Sequence, residues 1–128
     1  MYFVTFVTRG RKQLPGSARS AVLKELLVFA PSIHVTVVMP EHVHAILTPP
    51  DMALEEMIGL VKGRSARTVN LLLGRRGTLW QSESFDHELR YDESLDQKTE
   101  YVRQNPVRRG LCATPDEYPW LWPKAEKT

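Results

Sequence analysis

Ile33-His34-Val35-Thr36-Val37-Val38-Met39-Pro40-Glu41-His42-Val43-His44-Ala45-Ile46-Leu47-Thr48 is the stretch on which the fold turns. Ile33, Val35, Val37 and Met39 alternate with His34, Thr36 and Val38, the period of a strand that shows different faces to different surroundings. His42 to Thr48 is a second strand of similar length, and Pro40-Glu41 between them is short enough for a hairpin. Upstream, Tyr2 to Thr8 is aromatic and β-branched and runs into the basic loop Arg9-Gly10-Arg11, which reads as another strand. Pro15-Gly16-Ser17 then supplies a turn and an N-cap. Val22, Leu23, Leu26, Leu27 and Ala30 follow at helical spacing until Pro31 forbids continuation.

Downstream of the hairpin, Thr48-Pro49-Pro50-Asp51 breaks the strand and offers Asp51 as a cap. Leu54, Met57, Ile58, Val61, Val69, Leu72 and Leu73 keep helical period up to Gly74, the expected helix stop. Leu79 through Leu89 mixes aromatic and polar residues, which fits a loop followed by a last strand. Asp92 or Ser94 then caps a third helix that is expected to run to Asn105 and end at Pro106. The order strand, helix, strand, strand, helix, strand, helix predicts an α+β fold. Its core is a ferredoxin-like βαββαβ antiparallel sheet with two helices on one face, plus a C-terminal helix. Such a sheet leaves its other face open, where a site is naturally built.

With 128 residues, the chain is read as one domain over 1–128. Hydrophobic residues make up 42% and charged residues 25%, the balance of a globular domain rather than a disordered chain. No apolar run approaches the roughly 20 residues of a membrane-spanning helix, and no signal peptide opens the sequence, so a cytoplasmic protein without membrane partners is expected. A single cysteine, Cys112, excludes an internal disulfide framework. The net charge of +2 hides strong grouping. Arg9, Arg11, Lys12, Arg19 and Lys24 have no acid between them, and neither do Lys62, Arg64, Arg67, Arg75 and Arg76. Arg103, Arg108 and Arg109 form a further basic cluster after an acidic stretch. Such clusters beside a globular core suit a polyanion, nucleic acid most simply, although solvated helix faces account for them equally well.

His42 and His44 lie two apart in a strand, so both project from one face, close enough to share a divalent cation. Alone, an H-x-H pair is a weak signal that an edge histidine with a chance neighbour also explains. Tyr101 and Asn105 lie four apart on the third helix, hence on one face about one turn from each other. Leu95 and Val102 suit that helix's buried side. An amphipathic-helix tyrosine and a C-cap asparagine remain ordinary readings of the two residues taken singly.

Several motifs together resemble the REP-associated tyrosine transposases, relatives of the insertion-sequence single-strand transposases that carry two histidines around a bulky apolar residue. They are Val38-Met39-Pro40-Glu41-His42-Val43-His44, Lys62-Gly63-Arg64-Ser65-Ala66-Arg67, Leu79-Trp80-Gln81 with Phe85-Asp86-His87, and Tyr101-Val102-Arg103-Gln104-Asn105-Pro106-Val107-Arg108-Arg109-Gly110-Leu111. The resemblance runs in order from Tyr2 to Trp120. It implies a metal-dependent nuclease and strand transferase acting on single-stranded DNA at hairpins, as a monomer or homodimer. By motif match, Tyr101 is the nucleophile and His42, His44 and Asn105 hold Mg2+ or Mn2+. The asparagine resembles the REP-associated branch, whereas the insertion-sequence branch tends to carry glutamine. Glu41 stands where the family usually has aspartate, a change expected to affect the turn more than the chemistry.

The residue types are consistent with that chemistry. A free phenol titrates near pH 10, so it attacks at neutral pH only where the charge developing at phosphorus is stabilised, a task for a bound cation. No G-x-x-x-x-G-K-[ST] loop is present, so no nucleotide cofactor is expected. Arg9, Arg11, Lys12, Lys62, Arg64 and Arg67 are candidate phosphate contacts, and Trp80 or Phe85 a candidate base-stacking residue. Trp120 and Trp122 are expected to pin the tail to the body. Two rival readings stand beside this one. The first is a replication-initiator or relaxase-type nuclease built on the same histidine pair. The second is a non-catalytic single-stranded nucleic-acid-binding module that uses Tyr2, Phe3 and Phe6 as an aromatic platform. His34-Val35-Thr36 has the H-x-[ST] form of some metal-free phosphoesterases but lacks a second copy, since Ala45 follows His44.

Overall fold

The computed structural model describes residues 1–89 and 93–125. In chain order its main elements are β1 (Tyr2–Val7), α1 (Gly16–Leu27), β2 (Ile33–Val38), β3 (His42–Leu47), α2 (Leu54–Leu73), β4 (Phe85–Glu88), α3 (Glu93–Arg108) and β5 (Leu121–Trp122). The strands form one sheet in the order β4-β1-β3-β2-β5, antiparallel throughout. β1 to β4 with α1 and α2 are the expected ferredoxin-like unit. β5, which the sequence did not announce, adds a fifth strand beside β2. The tail is held there by Trp120, whose indole N–H donates to Ser20 Oγ at 2.9 Å beneath the Arg19 guanidinium, and by the buried Tyr118 hydroxyl, which donates to the Val38 carbonyl at 2.7 Å.

The strand period of two sorts side chains between two unlike faces. Val4 and Phe6 of β1 and Val43, Ala45 and Leu47 of β3 meet Ala18, Val22 and Leu26 of α1 and Met57, Ile58, Val61 and Val69 of α2 in the larger core. Phe3, Val35, Val37, Met39 and Ile46 pack on the opposite face with Val102 of α3, Tyr118 and Leu121. α3 therefore crosses the face that two helices alone would leave open, lying against β2 and β3.

Three local expectations are corrected, and a fourth falls partly outside the described residues. Ile33 does not share a face with Val35, because β2 bulges between them: Ile33 pairs with Leu47 and Val35 with Ile46. One extra residue reverses the alternation, so Ile33 joins the larger core and His34 is left exposed. Neither Ser17 nor Asp51 caps a helix. A capping side chain must sit immediately before the first helical residue, and those positions belong to Pro15 and Ala53, which make no side-chain cap. α3 begins at Glu93, so Ser94 lies inside it, and Asp92 falls outside the described residues. Finally, α3 runs through Pro106 to Arg108. A proline so near the end forfeits only the N–H that would serve the Val102 carbonyl. The closing bonds form without it, Arg109 N–H to the Asn105 carbonyl at 3.1 Å and Leu111 N–H to that of Pro106 at 2.9 Å. Gly110, with φ of 73°, takes the left-handed turn that ends the helix.

Candidate active site

β1 and β3 are in register with Thr5 opposite His44 and Val7 opposite His42. The same period that sends Val43 into the core therefore sends His42 and His44 to the α3 face, their ring centroids 4.5 Å apart. Helical spacing brings Tyr101 and Asn105 over them. Thr5, Val7, Arg11, His42, His44, Tyr101, Asn105, Arg108 and Arg109 line one open depression of about 360 Å³. The Tyr101 and His44 rings lie 5.8 Å apart, edge to face. His44 and Asn105 are buried, whereas Tyr101 keeps 46% of its surface open.

Each imidazole is oriented through Nδ1. His42 Nδ1–H donates to Glu41 Oε1 at 2.9 Å, and its Nε2 accepts from the Asn105 amide at 3.3 Å. His44 Nδ1 shares a 2.8 Å hydrogen bond with Thr5 Oγ1. Burial pushes the pKa of both rings down, His44 to about 3 with help from the charges of His42, Arg108 and Lys98. Both are thus neutral at pH 7, the form that binds metal. Glu41 was expected to shape the turn, but its carboxylate does more. It is 5% exposed and takes both Arg109 Nη atoms at 2.6 and 3.2 Å while holding His42. The Arg109 guanidinium keeps this carboxyl below its usual range against the opposing cost of burial.

These donors fit a divalent cation. With Nδ1 of each ring engaged on an outer partner, Nε2 is the ring nitrogen left for a cation, as in carboxylate–histidine–metal arrangements. Asn105, turned about its last bond, offers an amide oxygen instead of its nitrogen. Among the described residues no three His, Cys, Asp or Glu side chains cluster. A cation would rest on two imidazoles and an amide, an open mixed nitrogen–oxygen set suited to manganese or magnesium rather than a closed zinc cage.

The basic residues divide. Arg9, Arg11 and Lys12 form an exposed turn after β1, strapped by Thr8 Oγ1 donating to the Lys12 carbonyl at 2.7 Å. Of these, Arg11 lines the depression, in a left-handed conformation with φ of 52°. Lys62 lies on the α2 side of the sheet. Its Nζ donates to the Gln81 carbonyl at 2.7 Å and to Ser84 Oγ at 3.1 Å, fixing the approach to β4. Arg64 and Arg67 are exposed along α2, outside the depression. Trp80 is a core residue, its N–H donating to Ser65 Oγ at 3.0 Å and its ring meeting Phe6 edge-on. Tyr2, Phe3 and Phe6 do not form one platform: Phe6 is buried beneath the helices, and Phe3 lies on the other face under Lys98 and Tyr101. Thr5, Glu41, Arg108 and Arg109 are site residues that spacing alone did not single out. Cross-strand register is the signal for Thr5, and Glu41 and Arg109 betray each other only once the helix docks.

The family model for IS200-like transposases matches residues 2–105. Among solved structures, the chain is similar to a REP-associated tyrosine transposase bound to a REP hairpin, with 25% identity and a TM-score of 0.70 over 94% of this chain and 74% of that one. It also shares its fold with a candidate transposase from Deinococcus radiodurans R1, with 19% identity and a TM-score of 0.55 over 79% of this chain and 86% of that one. No curated protein sequence matches it.

Proposed function

The chain belongs to the IS200-like transposases, and from that premise we propose that it is a one-domain, metal-dependent nuclease and strand transferase that cleaves single-stranded DNA beside hairpins through Tyr101. Membership makes it a transposase, an enzyme that cuts DNA. The hairpin substrate is taken from the similar structure that holds a REP hairpin. The observation that carries the reading is the convergence of His42, His44, Asn105 and the half-open Tyr101 on one depression rimmed by arginine.

In this reading His42, His44 and Asn105 hold the cation. When bound, it supplies Lewis-acid stabilisation of charge on a non-bridging phosphate oxygen. Tyr101 Oη attacks the phosphorus in line. The new O–P bond forms as the bond to the 3′-oxygen breaks, the phenolic proton passes to solvent, and the departing oxygen takes one from solvent. The product is a 5′-phosphotyrosine and a free 3′-hydroxyl, and attack by another 3′-hydroxyl reverses the step at a new junction. Glu41 and Thr5 keep both rings in the metal-binding tautomer. Arg9, Arg11 and Lys12 contact backbone phosphates and position the strand without reading its sequence. Phosphates met by Arg64 and Arg67 belong to another stretch of DNA, since α2 lies on the far side of the sheet.

The test is a denaturing gel of protein incubated with 3′-labelled single-stranded hairpins and manganese, magnesium or a chelator. A protein-linked band that needs the cation and disappears in Tyr101→Phe is expected. Tight binding without an adduct under any cation contradicts the reading and leaves a binding module.

A further inference from the structure

We propose that Arg108 is a catalytic residue of the cleavage step, a guanidinium clamp on the scissile phosphate. The inference rests on Tyr101 being the nucleophile and deepens that reading.

Two adjacent arginines at the end of α3 are placed in opposite circumstances. Arg109 is spent on Glu41, which takes both its Nη atoms. Arg108 makes no ion pair among the described residues and is exposed on the rim of the depression. It is nevertheless not loose. Its Cζ sits 4.3 Å from the centroid of the Tyr101 ring, and Nη2 donates to the Tyr101 carbonyl at 2.8 Å. Seven residues along a helix bring a side chain back to the same face two turns on, so Arg108 returns to the nucleophile.

That carbonyl does not need Arg108. It lies within a continuous helix, where the N–H of residue 105 serves it. The bond therefore satisfies no orphan group. Its effect is to hold a cation over the ring, where the aromatic face attracts it. Among the described residues only one of its five guanidinium donors is used, and the rest suit a planar ligand with paired oxygens. A phosphate in line with Tyr101 Oη is that ligand, because the arginine fork matches two phosphate oxygens at once.

The balance of the step assigns the role. While the Oη–P bond forms and the bond to the 3′-oxygen breaks, negative charge gathers on the non-bridging oxygens. Arg108 stays protonated throughout and gives up no proton. Its contribution is electrostatic, and a cation held in place before the phosphate arrives costs little reorganisation during reaction. The surroundings match this use: among the described residues, no carboxylate lines the depression beside Arg108.

Single-turnover cleavage of a 3′-labelled hairpin is compared for the parent, Arg108→Ala, Arg108→Met and Arg108→Lys, with binding measured separately in the Tyr101→Phe background. Arg108→Ala and Arg108→Met are expected to cleave about 100-fold or more slowly, the loss typical of one transition-state donor. Binding should weaken by less than about fivefold, as for one phosphate contact among several. Arg108→Lys keeps the charge without the fork and falls between, and added methylguanidinium restores part of the Arg108→Ala rate but none of Tyr101→Phe. Parent-like cleavage by Arg108→Ala overturns the inference, as does loss of binding and cleavage by the same factor. A parent protein that forms no adduct overturns the nuclease reading and this inference together, whereas an active parent with an equally active Arg108→Ala overturns the inference alone.

Discussion

The two faces of the sheet are built from the same strands by opposite rules. On the α1/α2 side, β3 contributes Val43, Ala45 and Leu47, all fully buried among apolar neighbours. The buried Trp80 indole N–H on that side finds Ser65. On the α3 side the same strand contributes His42, His44 and Ile46, and only Ile46 joins an apolar cluster. There every buried polar group needs a partner, because an unpaired one costs about 1–3 kcal/mol. Glu41, Thr5 and Asn105 are those partners. The first face holds the fold by area buried. The second spends some of that stability on groups poised for chemistry, and a strand's alternation lets one segment serve both.

Substitutions can break this division in either direction. Tyr101→Phe should remove all covalent adduct while leaving the thermal midpoint unchanged, since among the described residues the hydroxyl has no hydrogen-bond partner; paired adduct gels and melting curves check it. Phe6→Ala, on the other face, leaves a cavity under Trp80 and should cost about 3–5 kcal/mol of stability, read from urea denaturation, with adduct formation per folded molecule unchanged. Glu41→Gln loosens His42 and should cost roughly 10- to 100-fold in metal affinity or metal-dependent activity. Manganese titration followed by spectroscopy reads the affinity directly.

Glu41→Gln also changes acid stability. The folded pKa of Glu41 is depressed, so its contribution is fully present above the unfolded value of 4.5 and is lost as pH falls through the lower folded value. The variant's denaturation midpoints should therefore fall less steeply than the parent's below that pH. The smallest effect is expected at Phe85, which stands on edge strand β4 with 61% of its surface exposed. Phe85→Ala should change stability by less than about 0.5 kcal/mol. Phe85 is in register with Thr5, on the face of the histidine pair, so a loss of single-strand affinity without loss of stability would extend the chemical face to the sheet edge.

Much of this was legible because the relevant periods are short. Alternation placed both histidines on one face, and a four-residue step placed Tyr101 with Asn105. What escaped depended on events that leave no period. A single inserted residue at His34 turned Ile33 to the other face. Pro106 reads as a stop, yet sits close enough to the end of α3 to cost only one bond. Lys62 joins the basic residues by charge alone, and only the fold shows its side chain reaching the loop before β4, 19 residues along the chain. Glu41 is adjacent to His42 in sequence, but its tie to Arg109 spans 68 positions and exists only after α3 has docked.

Peptide mapping of the trapped adduct by mass spectrometry decides whether the α3 face is a tyrosine nuclease site. Protein is incubated with a single-stranded hairpin and manganese, denatured, digested with nuclease and protease, and searched for a nucleotide remnant. A 5′-phosphodiester remnant is expected on the peptide containing Tyr101, absent when a chelator is present. A remnant on any other residue, or one joined through the 3′-phosphate, would contradict the tyrosine nuclease reading.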